Sequence, residues 1–199
     1  MTDGYSRLIA VTDRKYFFDR EDPEKAFLRQ LERLFSLDLK AVVLREKDLG
    51  LEEYLRLAEK VKGIAGEGRR CRLILHQYPE AAEALGIDAV HLPLHILREL
   101  REKSPERLNG FRTVGTSVHS TEDARIAVQC GASYLFAGNI YETTCKPGLE
   151  GRGLAWLREV AEAVPIPVYG IGGITPEKMK EILETGAAGG CMMSGSMRL

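Results

Sequence analysis

Short apolar stretches alternate with charged, amphipathic stretches along almost the whole 199-residue chain. Eight of the apolar stretches have the length and the β-branched content that are typical of buried strands. They are "RLIAVTD" from Arg7, "AVVLRE" from Ala41, "CRLILHQ" from Cys71, "AVHLP" from Ala89, "RTVGTSV" from Arg112, "YLFAGN" from Tyr134, "PVYGIGG" from Pro167 and "GGCMMSG" from Gly189. This alternation constrains the fold strongly, because consecutive parallel strands need a crossover, usually a helix, between them.

The intervening stretches carry helical periodicity and the signals of helix ends. The stretch "GLAWLREVAEAV" places its leucines and valines on one face at helical spacing. Ser120 and the pair Thr175-Pro176 are typical of helix starts. Gly131 and Gly186 lie where a glycine commonly follows the last helical turn. The sequence therefore predicts strand–helix units throughout.

Eight such units, without a Gly-rich dinucleotide fingerprint near the N-terminus, favour a closed (β/α)8 TIM barrel over an open doubly wound sheet. We expect a single domain over residues 1–199. The sequence ends at Leu199, shortly after the eighth strand, so the final helix is predicted to be missing or truncated. Either another subunit covers the barrel there, which leaves room for a homo-oligomer, or the chain is shortened.

Composition excludes several classes of partner. The formal net charge of −1 gives no electrostatic reason to expect nucleic acid or an anionic membrane. No apolar run approaches the roughly 20 residues of a membrane-spanning helix, and the N-terminus does not resemble a signal peptide. The four cysteines are far apart and lack metal-site spacing. We therefore expect a cytoplasmic protein with free thiols.

Barrel enzymes assemble their sites at the C-terminal ends of the strands. The residues at those positions are Asp13, Arg45, Lys47, His76, Gln77, His91, Ser117, His119, Asn139, Gly172, Gly173, Ser194 and Gly195. The long segment "FAGNIYETTCKPGLEGRGLAWL" begins with the sixth strand, so it is predicted to lie at the same mouth, as a lid.

A phosphate site is predicted after the last two strands. Gly172 and Gly173 end the seventh strand before a helix start near Thr175, and Ser194 and Gly195 end the eighth. Loops at these two places frequently bind phosphate in barrels. The alternative is that the glycines only form a tight turn.

The charged and titratable candidates also have structural alternatives. Arg45 suits a carboxylate or phosphate, but a solvated strand end is an equal alternative, and Lys47 is more typical of the surface. His119 is best placed to move a proton, because histidine titrates near neutral pH. His76 is placed to point into the mouth, while His91 is also consistent with a hydrogen-bonded interior histidine.

An ordered set of motifs resembles one family over nearly the whole chain. The motifs are "AVVLREK", "ALGIDAVHLP", "GTSVHSTEDARIAVQCGASYLFAGNIYETTCKPGLEGRGL" and "IPVYGIGGITPEKMKEILETGAAGGCMMSGS". Together they resemble the thiamine-phosphate synthase and thiazole tautomerase superfamily. The resemblance implies a (β/α)8 barrel that acts in thiamine biosynthesis.

The resemblance is weaker to the synthase branch. Synthases hold Mg²⁺ with acidic residues, usually an Asn-Asp pair after the third strand and a Gly-Gln-x-Asp stretch after the fourth. These places read His76-Gln77 and "PLHI" from Pro93. The synthase segment Thr-Pro-Thr-Lys reads "TTCK", which retains Thr143 and Lys146 but has Cys145 in place of the second threonine.

The tautomerase (TenI-like) branch resembles the chain more closely. It shares "ETTCKPGLEGRG" from Glu142 and "SVHS" from Ser117, whose histidine, His119, is implied to be the acid/base residue. The implied substrate is a thiazole phosphate carrying a carboxylate, and the implied reaction needs no metal and no organic cofactor. The predicted substrate-binding residues are Arg45, Lys47, Ser117, Thr143, Lys146, Gly172, Gly173, Ser194 and Gly195.

Two alternatives to the tautomerase remain open. The first is a thiamine-phosphate synthase with an altered Mg²⁺ site. The second is a non-catalytic, phosphate-binding regulatory protein that keeps the pocket.

Overall fold

Eight parallel strands pair in chain order and close into a barrel, with β1 hydrogen-bonded to β8. The computed structural model describes residues 5–66, 68, 70–143, 148 and 150–199. The strands are β1 (Leu8–Val11), β2 (Ala41–Leu44), β3 (Arg72–His76), β4 (Ala89–Leu92), β5 (Thr113–Val118), β6 (Tyr134–Gly138), β7 (Val168–Ile171) and β8 (Gly189–Met192). The predicted (β/α)8 TIM barrel is confirmed, and each predicted strand is present.

Helices fill the connections between the strands. They are α1 (Pro23–Ser36), α2 (Leu51–Ala65), α3 (Pro79–Leu85), α4 (Leu94–Lys103), α5 (Pro105–Leu108), α6 (Thr121–Gln129), α7 (Gly153–Glu162) and α8 (Met179–Leu183), with 3-10 helices at Arg14–Phe17, Pro176–Lys178 and Ser196–Arg198. Ser120 caps α6, since its side chain accepts a hydrogen bond from the Asp123 backbone N–H. Gly131 and Gly186 adopt positive φ just after their helices, as predicted.

The helix start predicted near Thr175 is present, as a short 3-10 helix that leads directly into α8. The 3-10 helix spans Pro176–Lys178 with Thr175 as its N-cap residue, and α8 begins at Met179. Thr175 makes no side-chain cap to this element.

The core has two parts because successive residues of a strand face opposite sides of the sheet. Leu8 and Ala10 of β1 pack outward under the helices, whereas Ile9 and Val11 point into the barrel. The barrel interior is filled by Ile9, Val11, Ala41, Val43, Ile74, Ala89, Tyr134, Phe136, Tyr169 and Cys191. Each fully buried leucine of the outer part contributes about 1.5–3 kcal/mol. The filled interior leaves space for a ligand only at the mouth.

The segment after β8 is short and tied to the barrel. Met197 is buried, and the Ser196 hydroxyl lies 2.9 Å from the Met192 carbonyl oxygen and 3.2 Å from that of Val11. The Gln30 side chain of α1 donates to the Ser196 carbonyl at 2.7 Å. The residues after β8 thus form a 3-10 helix at Ser196–Arg198, which α1 contacts through Gln30.

The described cysteines lie at different depths in the protein. Cys71 and Cys191 are buried, Cys130 is half-buried, and Cys145 lies outside the described residues. Within the described part of the chain, no helix has both the length and the apolarity needed to cross a membrane.

Candidate active site

A cavity of about 260 Å³ opens at the C-terminal ends of the strands. His119 and eight of the nine predicted substrate-binding residues line it. Those eight are Arg45, Lys47, Ser117, Thr143, Gly172, Gly173, Ser194 and Gly195. The ninth, Lys146, lies outside the described residues, so the lid that would carry it stays a prediction.

Some strand-end candidates lie elsewhere. Asp13 does not line the cavity; its side chain accepts from the Lys15 backbone N–H and caps the 3-10 helix there. Gln77 is also outside the lining and takes a positive φ of 72° in the turn between β3 and α3. His95 is exposed at the start of α4, as expected.

His119 is held at the rim by its backbone and by one ring nitrogen. Its backbone N–H donates to the Asp123 carboxylate at 3.2 Å. Its Nδ1 lies 3.1 Å from the carbonyl oxygen of Gly138, the last residue of β6. A carbonyl only accepts, so Nδ1 must carry the hydrogen. In the neutral ring Nε2 is then unprotonated and remains to exchange a proton with a ligand.

Below His119, one side of the cavity is a stack of flat rings. The His91 ring lies 4.2 Å from the Phe136 ring and 5.8 Å from the His76 ring, between centroids, with both pairs stacked. We call His76, His91, Ser117, His119 and Phe136 the histidine wall. Burial, reinforced by the cations Arg45 and Lys47, lowers the His76 pKa to about 3.

His91 is also kept neutral, because burial lowers its pKa well below the ordinary value. Its two ring nitrogens are both hydrogen-bonded. Nδ1 lies 3.0 Å from the Tyr134 hydroxyl, and Nε2 lies 2.9 Å from the Ser117 hydroxyl. The sequence favoured no role for Tyr134, whose contact depends on the register of three strands.

Another side of the cavity is made of small residues that follow β7 and β8, Gly172, Gly173, Ser194 and Gly195, which we call the glycine wall. Gly172 and Gly173 adopt φ of 101° and 66°, a region that favours glycine. A Cβ at Gly172 would lie 2.6 Å from the Asn139 Cβ, so the glycine also permits close packing of two loops. The predicted tight turn is thus present, and it lies at the cavity, as the phosphate prediction requires.

The cavity is positively charged. Arg45 and Lys47 line it, and none of the described lining residues is acidic. No salt bridge joins Arg45 to a carboxylate among the described residues. A site with this charge suits a small anionic group such as a phosphate or a carboxylate.

A buried network behind Arg45 was missed from the sequence. The Thr12 hydroxyl accepts from the Arg45 backbone N–H at 2.9 Å and donates to Glu46 Oε1 at 2.5 Å. Glu46 Oε2 accepts from the Arg14 backbone N–H at 3.0 Å. Burial raises the Glu46 pKa to about 7. Strand alternation in "LREK" was the available signal, because it turns Glu46 away from the side that Arg45 faces.

The segment after β6 is fixed near its two ends. The Asn139 side-chain amide donates to the Glu150 carbonyl at 3.3 Å, and the Arg152 backbone N–H donates to the Asn139 carbonyl at 3.0 Å. The Arg152 guanidinium lies 4.8 Å from the Trp156 ring centroid, outside the cavity lining. Arg152 therefore packs at the end of this segment and does not line the cavity.

The donor set does not fit Mg²⁺ in the part of the chain that the structure describes. Mg²⁺ prefers carboxylate oxygens, but the described lining offers none, and His76 and Gln77 stand where the resemblance implies the Asn-Asp pair of a synthase. No group of three or more histidine, cysteine or acidic side chains is arranged to hold a metal ion among the described residues.

A closed barrel with small-residue loops after β7 and β8 and cations at its mouth is typical of enzymes that bind phosphorylated small molecules. The family described as "Thiamine monophosphate synthase" matches residues 8–195. The chain belongs to this family of thiamine biosynthesis.

Individual relatives agree with the family match. A "Putative thiamine-phosphate synthase 2" of Aquifex aeolicus is 37% identical over 183 residues, which are 92% of this chain and 93% of that protein. The thiamine-phosphate synthase of Clostridium acetobutylicum is 34% identical over 194 residues, 95% of this chain and 86% of that protein. These names match the synthase alternative more closely than the tautomerase prediction.

A solved structure supports the same fold. The thiamine phosphate pyrophosphorylase of Pyrococcus furiosus superposes with a TM-score of 0.75 at 26% identity, covering 98% of this chain and 90% of that one. The (β/α)8 barrel and the superfamily are therefore shown, while the branch within the superfamily is not.

Proposed function

We propose that this chain is a thiazole tautomerase of thiamine biosynthesis in which His119 carries the proton, without metal or organic cofactor. The observation that carries the proposal is the 3.1 Å contact between His119 Nδ1 and the Gly138 carbonyl oxygen. It leaves Nε2 as a base at the cavity, where His119 is a lining residue. A general base must lie within reach of the proton that it removes, and a position in the cavity lining provides that geometry.

The proposed substrate is a thiazole phosphate with an exocyclic alkene and a carboxylate on the ring carbon between nitrogen and sulfur. Its phosphate would lie at the glycine wall, and its ring against the stacked rings of His91 and Phe136. Arg45, with Lys146 as the other candidate cation, would bind the carboxylate or the phosphate.

The proposed reaction is an isomerisation. It moves one proton and leaves the molecular formula of the substrate unchanged. His119 removes the proton from the ring carbon that bears the carboxylate. The electron pair of that C–H bond moves into the ring, the double bonds shift, and the exocyclic carbon takes a proton from the imidazolium. The product is an aromatic thiazole, and aromatisation drives the step. The chain's task is to position the ring and carry the proton.

Thiamine-phosphate synthase is the second candidate, and a specific finding favours it. The family description and the names of the relatives from Aquifex aeolicus and Clostridium acetobutylicum are those of synthases. The side chains that line the cavity argue against a synthase. Pyrophosphate displacement relies on Mg²⁺, and the described lining contains no carboxylate to bind it. For this reason, no step of the reaction proposed above uses Mg²⁺.

Two assays separate these candidates. The first supplies the chain alone with the pyrimidine pyrophosphate, the aromatic thiazole phosphate and Mg²⁺. The second supplies the alkene thiazole substrate with a separate, active synthase, and compares wild type with His119→Ala. We expect no product in the first assay, and in the second a faster reaction with wild type only. Product in the first assay would establish the synthase.

Activity in neither assay would refute the tautomerase. Thiazole phosphate binding without turnover would then establish the non-catalytic alternative.

A further inference from the structure

Ser117 and His91 form a hydrogen-bonded pair in the cavity, with His91 Nε2 2.9 Å from Ser117 Oγ. A serine beside a histidine is the arrangement in which a base activates a serine nucleophile. The direction of the hydrogen bond decides between two roles. If the hydroxyl donates to the ring, His91 can act as that base. If the ring donates to the hydroxyl, it cannot.

The other ring nitrogen of His91 fixes this direction. Its Nδ1 lies 3.0 Å from the hydroxyl of Tyr134, a side chain inside the barrel. Burial raises the Tyr134 pKa well above its ordinary value, so the phenol keeps its proton. Among the described residues, the one hydrogen bond of this hydroxyl is to His91, so Nδ1 is the acceptor that can receive the proton. A buried donor without an acceptor is unfavourable.

A glycine makes room for this contact. Gly115 of β5 pairs in register with His91 on β4 and with Tyr134 on β6. A Cβ at Gly115 would lie 2.0 Å from the Cζ of the Tyr134 ring. The missing side chain thus lets the phenol cross the intervening strand and reach the imidazole. The contact is part of the barrel's packing.

We propose that Tyr134 holds His91 in the tautomer with hydrogen on Nε2, and that Ser117 consequently donates its hydroxyl proton to an acceptor atom of the ligand instead of acting as a nucleophile. A neutral His91 has one N–H, and with Nδ1 accepting, that N–H points at Ser117 Oγ. The serine hydroxyl accepts this bond and keeps its own proton to donate.

The position of Ser117 indicates which part of the ligand it meets. It lies on β5, two strands from β7 and three strands from β8 in the barrel order. It contacts His91, against which the proposed function places the ring of the ligand. Its partner is therefore an acceptor on the ring end of the ligand, a ring nitrogen or a carboxylate oxygen. This step rests on the proposed function, whereas the tautomer of His91 does not.

Nitrogen NMR tests the tautomer without any ligand. Protein labelled with ¹⁵N-histidine is recorded as wild type, Tyr134→Phe and Tyr169→Phe, because nitrogen shifts distinguish protonated from unprotonated ring nitrogens. His91 is assigned by the signal lost in His91→Gln, or by removing the other three histidines in turn. We expect hydrogen on Nε2 in wild type and in Tyr169→Phe, and an altered population in Tyr134→Phe. Hydrogen on Nδ1 in wild type would overturn the proposal.

Ser117 is tested by reactivity and by binding. A fluorophosphonate reagent should leave Ser117 unmodified, and its modification would overturn the donor role. Aromatic thiazole phosphate is the binding probe, with the exposed Ser36→Ala as the matched control. We expect Ser117→Ala to weaken binding about three- to tenfold, the size of one hydrogen bond. Unchanged binding in Ser117→Ala would also contradict the donor role.

The two proposals fail separately. If His91 carries hydrogen on Nε2 but the chain neither binds nor isomerises the thiazole, the proposed function fails and the tautomer stands. If the chain is a tautomerase and His91 carries hydrogen on Nδ1, the present proposal fails alone.

Discussion

The glycine wall and the histidine wall face the same cavity but are built by different means. On the glycine wall, backbone conformation and close loop packing leave little room for side chains, as the positive φ of Gly172 and Gly173 shows. On the histidine wall, rings and hydroxyls from β3 to β6 provide the surface and the proton-transfer groups. One wall therefore depends on shape, and the other on the chemistry of individual side chains.

This difference predicts how substitutions act. A change on the glycine wall should disturb the fold first and binding as a consequence. A change on the histidine wall should alter binding or turnover while the barrel stays intact.

Gly172→Ala should destabilise the protein by about 2–5 kcal/mol, from a left-handed φ and a clash with Asn139. Gly131→Ala is the matched control, because Gly131 has a φ of 94° but nothing within 4 Å of its added Cβ. The Gly131→Ala substitution should lower the free energy of unfolding by about 1–2 kcal/mol. Denaturant unfolding measures both. Equal costs would show that the loop contact at Gly172 contributes nothing.

Glu46, behind the cavity, should make stability depend on pH. Its pKa of about 7 in the folded state lies above the ordinary glutamate value of 4.5, so the folded state holds a proton that the unfolded state releases between these values. Stability should therefore fall as pH rises from about 4.5 to 7, by up to about 3 kcal/mol. Glu46→Gln should remove this fall in unfolding free energy measured at pH 5 and pH 8. The same slope in wild type and variant would contradict the raised pKa.

Arg45→Met should weaken thiazole phosphate binding by about 10- to 100-fold, the loss of a charge-assisted hydrogen bond worth about 1.5–3 kcal/mol. Stability should change little, because no carboxylate pairs with Arg45 among the described residues. Arg56→Gln, on the exposed face of α2, serves as the control for calorimetric titration. Equal affinity of the Arg45→Met and Arg56→Gln variants for thiazole phosphate would show that Arg45 does not bind the ligand.

Arg152→Ala should have the smallest effect. The guanidinium stacks on Trp156, a contact worth about 0.5–1 kcal/mol at an exposed site. Thermal unfolding should show that loss, while the KM for the thiazole substrate stays unchanged. A raised KM at unchanged stability would instead place Arg152 over the ligand.

The sequence was informative wherever the signal is local. Strands, the cap at Ser120 and the strand-end candidates follow from patterns of a few residues, so they were predicted together with most of the cavity lining. The Thr12–Glu46 and Tyr134–His91 contacts join different strands, and their partners are set by register and by space at Gly115. No short pattern encodes them.

The proton role of His119 is tested most directly by watching the isomerisation itself. The alkene thiazole phosphate carboxylate is incubated with the chain alone, in buffer containing EDTA, and its vinylic proton is followed by NMR. Wild type and the exposed-histidine control His95→Gln should accelerate its loss equally, while His119→Gln should be at least about a hundredfold slower. No acceleration by wild type, or equal rates in His119→Gln and wild type, would contradict the account.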